Sequence, residues 1–277
     1  MSSYAFVTSS SSMIAAVLIA MAVLAAVESW IPLHPRDRQN RAHVVPNLAL
    51  TLITFWTNLV FNVALVTVLV RIEPGGFGLL PRLGLQPATT TLLVVLGLDF
   101  AFYVTHRAMH DIGLFWRFHS VHHSDRSVDV TTTIRQHPGE SVIRYAFLSV
   151  AAVVLGATPG AFAVYRVWSV LAGLLEHSNV RLPLSVDNAL ALLISTPNFH
   201  KVHHLREPER YDTNFGNCFS LFDRLFATCT PAEEGTSVTC GVRDLDAARL
   251  QTTAGLLALP FRRGPVTEGA IASSRVG

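Results

Sequence analysis

Charge is scarce in this sequence. Only 14% of its 277 residues are Asp, Glu, Lys or Arg, against roughly 25% in a soluble globular domain. That shortage excludes an ordinary solvated surface around one or two soluble domains. The formal net charge of +2 is too small to serve a nucleic-acid partner. Lysine occurs once, as Lys201, against twenty arginines. With abundant Ala and Val, that usage points to a high-GC, bacterial genome. Cys218, Cys229 and Cys240 are odd in number and share no metal-type spacing, which speaks against a disulfide framework and for reduced thiols. No Gly-rich phosphate loop, nucleophile triad, flavin motif or nicotinamide motif is present.

Apolar runs fill the space that charge leaves. Half the residues are hydrophobic, and the mean hydropathy is +0.40. Met13 to Val27 is uninterrupted, and Glu28, Trp30 and Ile31 follow it as an interfacial anchor. Leu48 to Val70 is 23 residues without a charge, the clearest membrane span. Ala88 to Val104 contains one acid, Asp99, and leads directly into His106. Val142 to Ala157 and Ala161 to Leu175, 16 and 15 residues long, are split by Thr158-Pro159-Gly160 and read as a helical hairpin. Residues 1–12 are Ser-rich with no basic region, so a cleaved signal peptide is not expected.

The expected fold is therefore an all-α membrane protein. It has about four to five transmembrane or hairpin helices and a cytoplasmic histidine-rich helical cap. Residues 1–87 read as N-terminal spans and loops, 88–230 as the catalytic region, and 231–277 as a tail. Within the tail, Asp244 to Leu259 is expected as an interfacial helix and 264–277 as disorder. Arg36, Arg38 and Arg41 lie on the same side of the membrane as most arginines of the histidine-bearing segments. The positive-inside rule places that side in the cytoplasm, of a bacterial inner membrane by the reading above.

Eight of the twelve histidines fall in His106 to His123 and His200 to His204. His106 and His110 are an i, i+4 pair. His119, His122 and His123 form an i, i+3, i+4 set, and so do His200, His203 and His204. Each set puts two or three imidazoles on one helix face, as a metal requires. Spacing leaves His137 and His177 open, and treats His34 and His43 as loop residues. Eight to ten imidazoles exceed the shell of one metal, and two metals fit. Imidazole alone does not choose among Zn, Cu, Fe and Ni. Asp99, about 10 Å below His106 along a helix, is expected to accept a ring N–H from a metal-bound imidazole on another helix.

The histidine order HxxxH, HxxHH, HxxHH after a multi-span region resembles the fatty acid hydroxylase / sterol desaturase superfamily. Its neighbours match as well: Asp99-x-x-x-Tyr103-x-x-His106-Arg107, Arg135-x-His137-Pro138 and His177-Ser178-Asn179. So do Thr196-Pro197-x-x-His200-x-x-His203-His204, Asp212-x-Asn214-Phe215-Gly216 and Phe222-Asp223-Arg224-Leu225-Phe226-Ala227-Thr228. The family often has Trp for Phe222 and Gly for Ala227. The resemblance covers roughly residues 90–230.

It implies an integral-membrane oxidoreductase with two iron ions. Such an enzyme uses O2 and external electrons, from a ferredoxin or cytochrome b5-type donor with its reductase, to hydroxylate or desaturate a sterol or fatty-acyl-type lipid. Its implied ligands are His106, His110, His119, His122, His123, His137, His177, His200, His203 and His204. Asp99, Asn179 and Asp212 are candidate catalytic positions that fix those imidazoles. Two other readings use the same residues. A zinc hydrolase would need a free carboxylate base, for which Glu140 and Glu176 are the nearby choices. A metal transporter would carry ionisable groups across several spans, where only Asp99 and Arg166 lie within apolar runs.

Overall fold

The computed structural model describes residues 10–35, 42–207, 212–245 and 247–262. The polar start, the arginine triplet of the first loop and the tail from 263 lie outside it. Among the described residues the chain is helical, with only isolated bridges such as Pro32–Val180 and Ile194–Phe219.

The apolar runs become helices longer than the runs themselves. They are α1 (Ser10–Trp30), α2 (Val44–Ile72), α3 (Pro87–Asp111), α5 (Pro138–Leu155) and α6 (Pro159–His177). Four short helices follow the chain at one end of this bundle or beside it: α4 (Gly113–His123), α7 (Leu184–Leu190), α8 (Pro197–His203) and α9 (Leu221–Leu225). A last helix, α10 (Thr253–Ala258), lies near the C-terminus. Val44–Leu83, Pro87–Asp111 and Pro138–Leu155 are long and apolar enough to cross a membrane, and Ile14–Trp30 is a shorter apolar helix.

The outer faces confirm the solvent. Leu52 is 67% exposed, Trp56 66% and Val60 66%, a pattern that suits lipid and not water. The inner faces of α2, α3, α5 and α6 bury Leu65, Leu69, Val94, Leu98, Leu148, Ala152 and Phe162 in one core. The chain is a membrane protein of the expected all-α kind.

Local chemistry sets the helix ends. Pro87, Pro138 and Pro159 open their helices, where a missing N–H costs nothing and φ is already helical. The Thr158 hydroxyl accepts the Ala161 amide at 3.1 Å, capping α6. Gly156 closes α5 at φ 70°. A Cβ there would stand 2.3 Å from the Phe77 carbonyl oxygen, so only glycine lets the hairpin tip lie against the 73–83 loop. The Leu79 amide bonds Val154 O at 3.0 Å across the same join. The hairpin tip and the 73–83 loop therefore mark one end of the bundle. The ends of α1, α3 and α6 and the starts of α2 and α5 meet at the other, where the histidines are.

A buried polar layer seals that end. Arg135, fully buried, donates to Val121 O at 2.8 Å, Asn47 Oδ1 at 2.8 Å, Ser124 Oγ at 2.7 Å and Gln251 Oε1 at 2.7 Å. Asn47 in turn donates to Asp125 at 2.9 Å. One guanidinium thus joins α2, the end of α4 and the C-terminal segment.

The continuous interfacial helix expected over Asp244 to Leu259 does not form. Leu245, Leu250, Leu256 and Leu259 are buried against Leu50 and Val121 in a second core. Of the described residues in this segment only Thr253–Ala258 are α-helical, and a short 3-10 turn continues from Leu259, so the segment packs into the cap instead of forming one long lipid-facing helix.

Candidate metal centre

Nine imidazoles converge in two groups. His106, His110, His119, His123 and His203 form one, and His122, His177, His200 and His204 the other; within each, one ligand atom per residue lies within 4.8 Å of all the rest. The connection between α3 and α4 explains how the first segment contributes to both. Ile112 leaves helical geometry at φ −101°, ψ 109°, so α4 turns back over the end of α3. His119 Nε2 then sits 3.1 Å from His106 Nε2.

Each HxxHH word is split, contrary to the expectation that it presents one face to one metal. In α4 the i, i+4 pair His119 and His123 joins the group of five, while His122 joins the group of four. In α8 the assignment reverses: His200 and His204 join the group of four, and His203 the group of five. The groups touch where the words cross, with the His123 and His204 rings stacked at 4.5 Å.

The ring protons show what the nitrogens are for. His106 Nδ1 faces the Phe215 carbonyl oxygen at 2.8 Å, His203 Nδ1 faces Thr213 O at 2.7 Å, and His177 Nδ1 faces Gly173 O at 2.8 Å. A carbonyl only accepts, so in these neutral rings Nδ1 carries the proton and Nε2 presents a lone pair. His177 Nε2 lies 3.0 Å from both His122 Nε2 and His200 Nε2. Within the group of four, His204 is fully buried, yet neither of its ring nitrogens has a hydrogen-bond partner. Buried lone pairs facing one another are costly unless a cation sits among them. The all-nitrogen donor sets therefore fit two metal ions.

Burial keeps the imidazoles outside the crossing helices in the neutral form that binds metal. It holds His122 down to about 3, and it lowers His119, His123, His200 and His204 well below 6.5. Neighbouring imidazoles push in the same direction. Carboxylates lie around the shell. His110 Nδ1 is 3.0 Å from Asp212 Oδ1, and His119 Nδ1 is 3.3 Å from Glu140 Oε1. Glu176 lies 3.5 Å from His177 Nδ1 and 3.8 Å from His200 Nδ1. Asp212 is itself pushed up to about 6 by burial.

The segment that starts at Asp212 orients three imidazoles of the group of five in succession: Asp212 for His110, Thr213 O for His203 and Phe215 O for His106. Three buried side chains hold this segment. Asp223 accepts the Phe215 and Gly216 amides, both at 2.8 Å. Asn214, at φ 56°, donates to Phe199 O and Thr230 O and accepts the Thr230 amide at 2.8 Å. Asp99 accepts the Cys218 and Phe219 amides, both at 3.1 Å.

The predicted site residues thus divide. His106, His110, His119, His122, His123, His177, His200, His203 and His204 are brought together. His137 is not: its Nδ1 accepts the Gly139 amide at 2.9 Å and its Nε2 lies 3.2 Å from Leu257 O. It caps α5, because the Pro that follows it opens that helix. Asp99 touches no imidazole; it holds the 214–219 loop, whose amides reach it before any ring does. Asn179 bonds the backbone of His34, accepting its amide at 3.0 Å and donating to its carbonyl at 2.9 Å. Asp212 alone of the three takes the expected place beside a clustered histidine. Sequence reasoning considered Glu140 and Glu176 only as hydrolytic bases. Their signal was an acidic residue one helical turn or less from a histidine at the cap end of a helix.

A cavity opens beneath the histidines. It holds about 120 Å³, on a measure where one water needs roughly 10–15 Å³. His106, His119, His122, His177 and His200 from both groups form its roof, and Phe102, Tyr145, Leu148, Arg144 and Arg166 from the crossing helices form its walls.

A helical membrane protein with a two-group histidine shell beside a cavity between its helices defines the class. Residues 91–228 match the fatty acid hydroxylase family, and the chain belongs to it. Alkylglycerol monooxygenase of Danio rerio is 31% identical over 147 residues, 53% of this chain and 32% of that protein. An ornithine lipid hydroxylase of Rhizobium tropici is 32% identical over 152 residues, 54% and 45% of the two chains. A very-long-chain aldehyde decarbonylase of Oryza sativa subsp. indica is 25% identical over 213 residues, 72% and 33%. The aligned part of this chain spans from just under a third to under a half of these relatives' lengths. No solved structure matches significantly.

Proposed function

We propose that the protein is an integral-membrane di-iron oxidoreductase that hydroxylates an unactivated C–H bond of a lipid, using O2 and two external electrons. The observation that supports this most is the pair of histidine groups roofing a cavity between membrane helices. The named activities of the relatives, a monooxygenase and a lipid hydroxylase, agree with it. Bound iron would supply oxygen activation and C–H cleavage.

The chain's own part is different. Its nine imidazoles would hold the metals, and His106, His177 and His203 would do so by Nε2, because their Nδ1 protons go to carbonyl oxygens. The carboxyl groups of Glu140, Glu176 and Asp212 lie against Nδ1 atoms of that shell, where they would orient the rings. Phe102, Tyr145 and Leu148 keep the reacting carbon in an apolar surround and limit water. The histidine end faces the cytoplasm. There the electrons would arrive from a small carrier of the ferredoxin or cytochrome b5 type.

Metal analysis of purified protein, paired with mass spectrometry of lipids incubated with O2 and a reductant, tests the reading. It expects two irons per chain and a lipid product heavier by one oxygen atom. Lipid turnover that proceeds without O2 would contradict it.

A further inference from the structure

We propose that Arg144 and Arg166 form an anion-binding subsite in the cavity, so that the substrate is a lipid with a carboxylate or phosphate close to the carbon that reacts. This rests on the function proposed above and names its substrate class. Both arginines line the same cavity as the histidines, between α5 and α6. The Arg166 guanidinium lies over the Tyr145 ring at 5.5 Å, and among the described residues it has no hydrogen bond or ion pair. It sits about 16 Å along α6 from His177, near the middle of that helix. A guanidinium at membrane depth is expensive and marks a functional site by default.

Arg144 lies over the Phe102 ring at 4.6 Å. Its contact with Glu140 is 3.7 Å, too long for a hydrogen bond. Glu140 and Glu176 are the acids that line the cavity. Each faces imidazoles: Glu140 faces His119, and Glu176 faces His177 and His200. Of the two, only Glu140 also stands within ion-pair distance of an arginine, and the two guanidiniums keep most of their donors for a ligand. Planar guanidinium forks match carboxylate and phosphate oxygens. A neutral alcohol head would leave the two cations uncompensated.

Depth sets the chemistry that follows. Arg144 is one helical turn from Glu140, and Glu140 reaches the shell at His119. An anion on Arg144 thus places carbons within a few bonds of it beside His119 and the other cavity-lining histidines. Arg166, deeper in the bundle, holds the far side of a larger head such as a phosphate.

Full-length protein with its metal content measured would be titrated in zwitterionic nanodiscs with palmitate, hexadecyl phosphate and hexadecanol. Wild type is expected to bind at least one anion about tenfold or more tighter than the alcohol. Palmitate preferred over the phosphate would assign a carboxylate head, and the reverse a phosphate head. R144Q and R166Q are each expected to lose about tenfold in anion affinity while keeping hexadecanol binding, which also shows that they fold. R166K should recover part of the loss. Equal binding of all three amphiphiles by wild type, or anion affinities unchanged in both variants, overturns the proposal. A protein that oxidises lipid but lacks the anion preference removes the subsite and leaves the function. One that binds anions through these arginines but holds no iron does the reverse.

Discussion

The two histidine groups are built from the same two HxxHH words but are held differently. The group of five depends on a loop. Asp212, Thr213 and Phe215 orient three of its rings, and that loop hangs from Asp99, Asn214 and Asp223. The group of four depends on a helix. Gly173 O and Glu176, both in α6, face His177, and Glu176 also lies beside His200. The lesson is that one histidine group is tunable from outside the helical core, while the other is tied to the membrane bundle. The first offers five imidazoles, and the second four.

Removing one ligand from each group gives the largest contrast. H204A, in the smaller group, should abolish lipid oxidation and cut bound iron to about one per chain. H203A, in the larger group, should retain more of both, measured by iron analysis and product yield. Equal losses would break the distinction. D223A strands the Phe215 and Gly216 amides at about 1–3 kcal/mol each. It should lower the thermal midpoint and weaken metal binding in the group of five alone, which competition with a graded chelator resolves into two release steps. D212A is milder, because only the His110 orientation is lost, and about 10–100-fold in affinity for one metal is expected.

Acid should act on both groups together. A free imidazole takes up a proton near 6.5, whereas folded His122 resists down to about 3, and His119, His123, His200 and His204 are also lowered. In that window the unfolded chain binds more protons than the folded one. Stability and metal retention therefore fall as pH drops below 6.5, by up to about 1.4 kcal/mol per unit for each such ring, and are flat above it. Chelator-free metal release followed across this range checks the sign. The smallest effect is at Ala227, a non-glycine residue at φ 56° in the turn behind Asp223. A227G relieves left-handed strain of about 1–2 kcal/mol but loosens the unfolded chain, so a gain of about 0.5–1 kcal/mol in thermal unfolding is expected, with no change in metal content.

Much of this was legible from residues. Leu48 to Val70 announced α2 by length and lack of charge, and the Thr158-Pro159-Gly160 break announced the hairpin. The histidine spacing announced clusters that could hold metal. The orienting atoms were not legible, because Phe215 O, Thr213 O and Gly173 O are backbone groups that any residue supplies. His137 misled because it sits in the right word but caps a helix. Asp99 misled because its depth suggested an imidazole N–H as partner, when two loop amides take its carboxylate. The four leucines of the C-terminal segment carry no helical period, so their place in the cap was invisible. Ala227 is the converse: the glycine usual in the family at that position is explained only by the positive φ the turn requires.

The count of iron per folded chain in wild type, H203A and H204A tests the central claim most directly. Two independent groups predict two irons in the wild type and about one in H204A, with the other group still filled. A wild-type protein that saturates at one iron, with both variants falling to none, would contradict it.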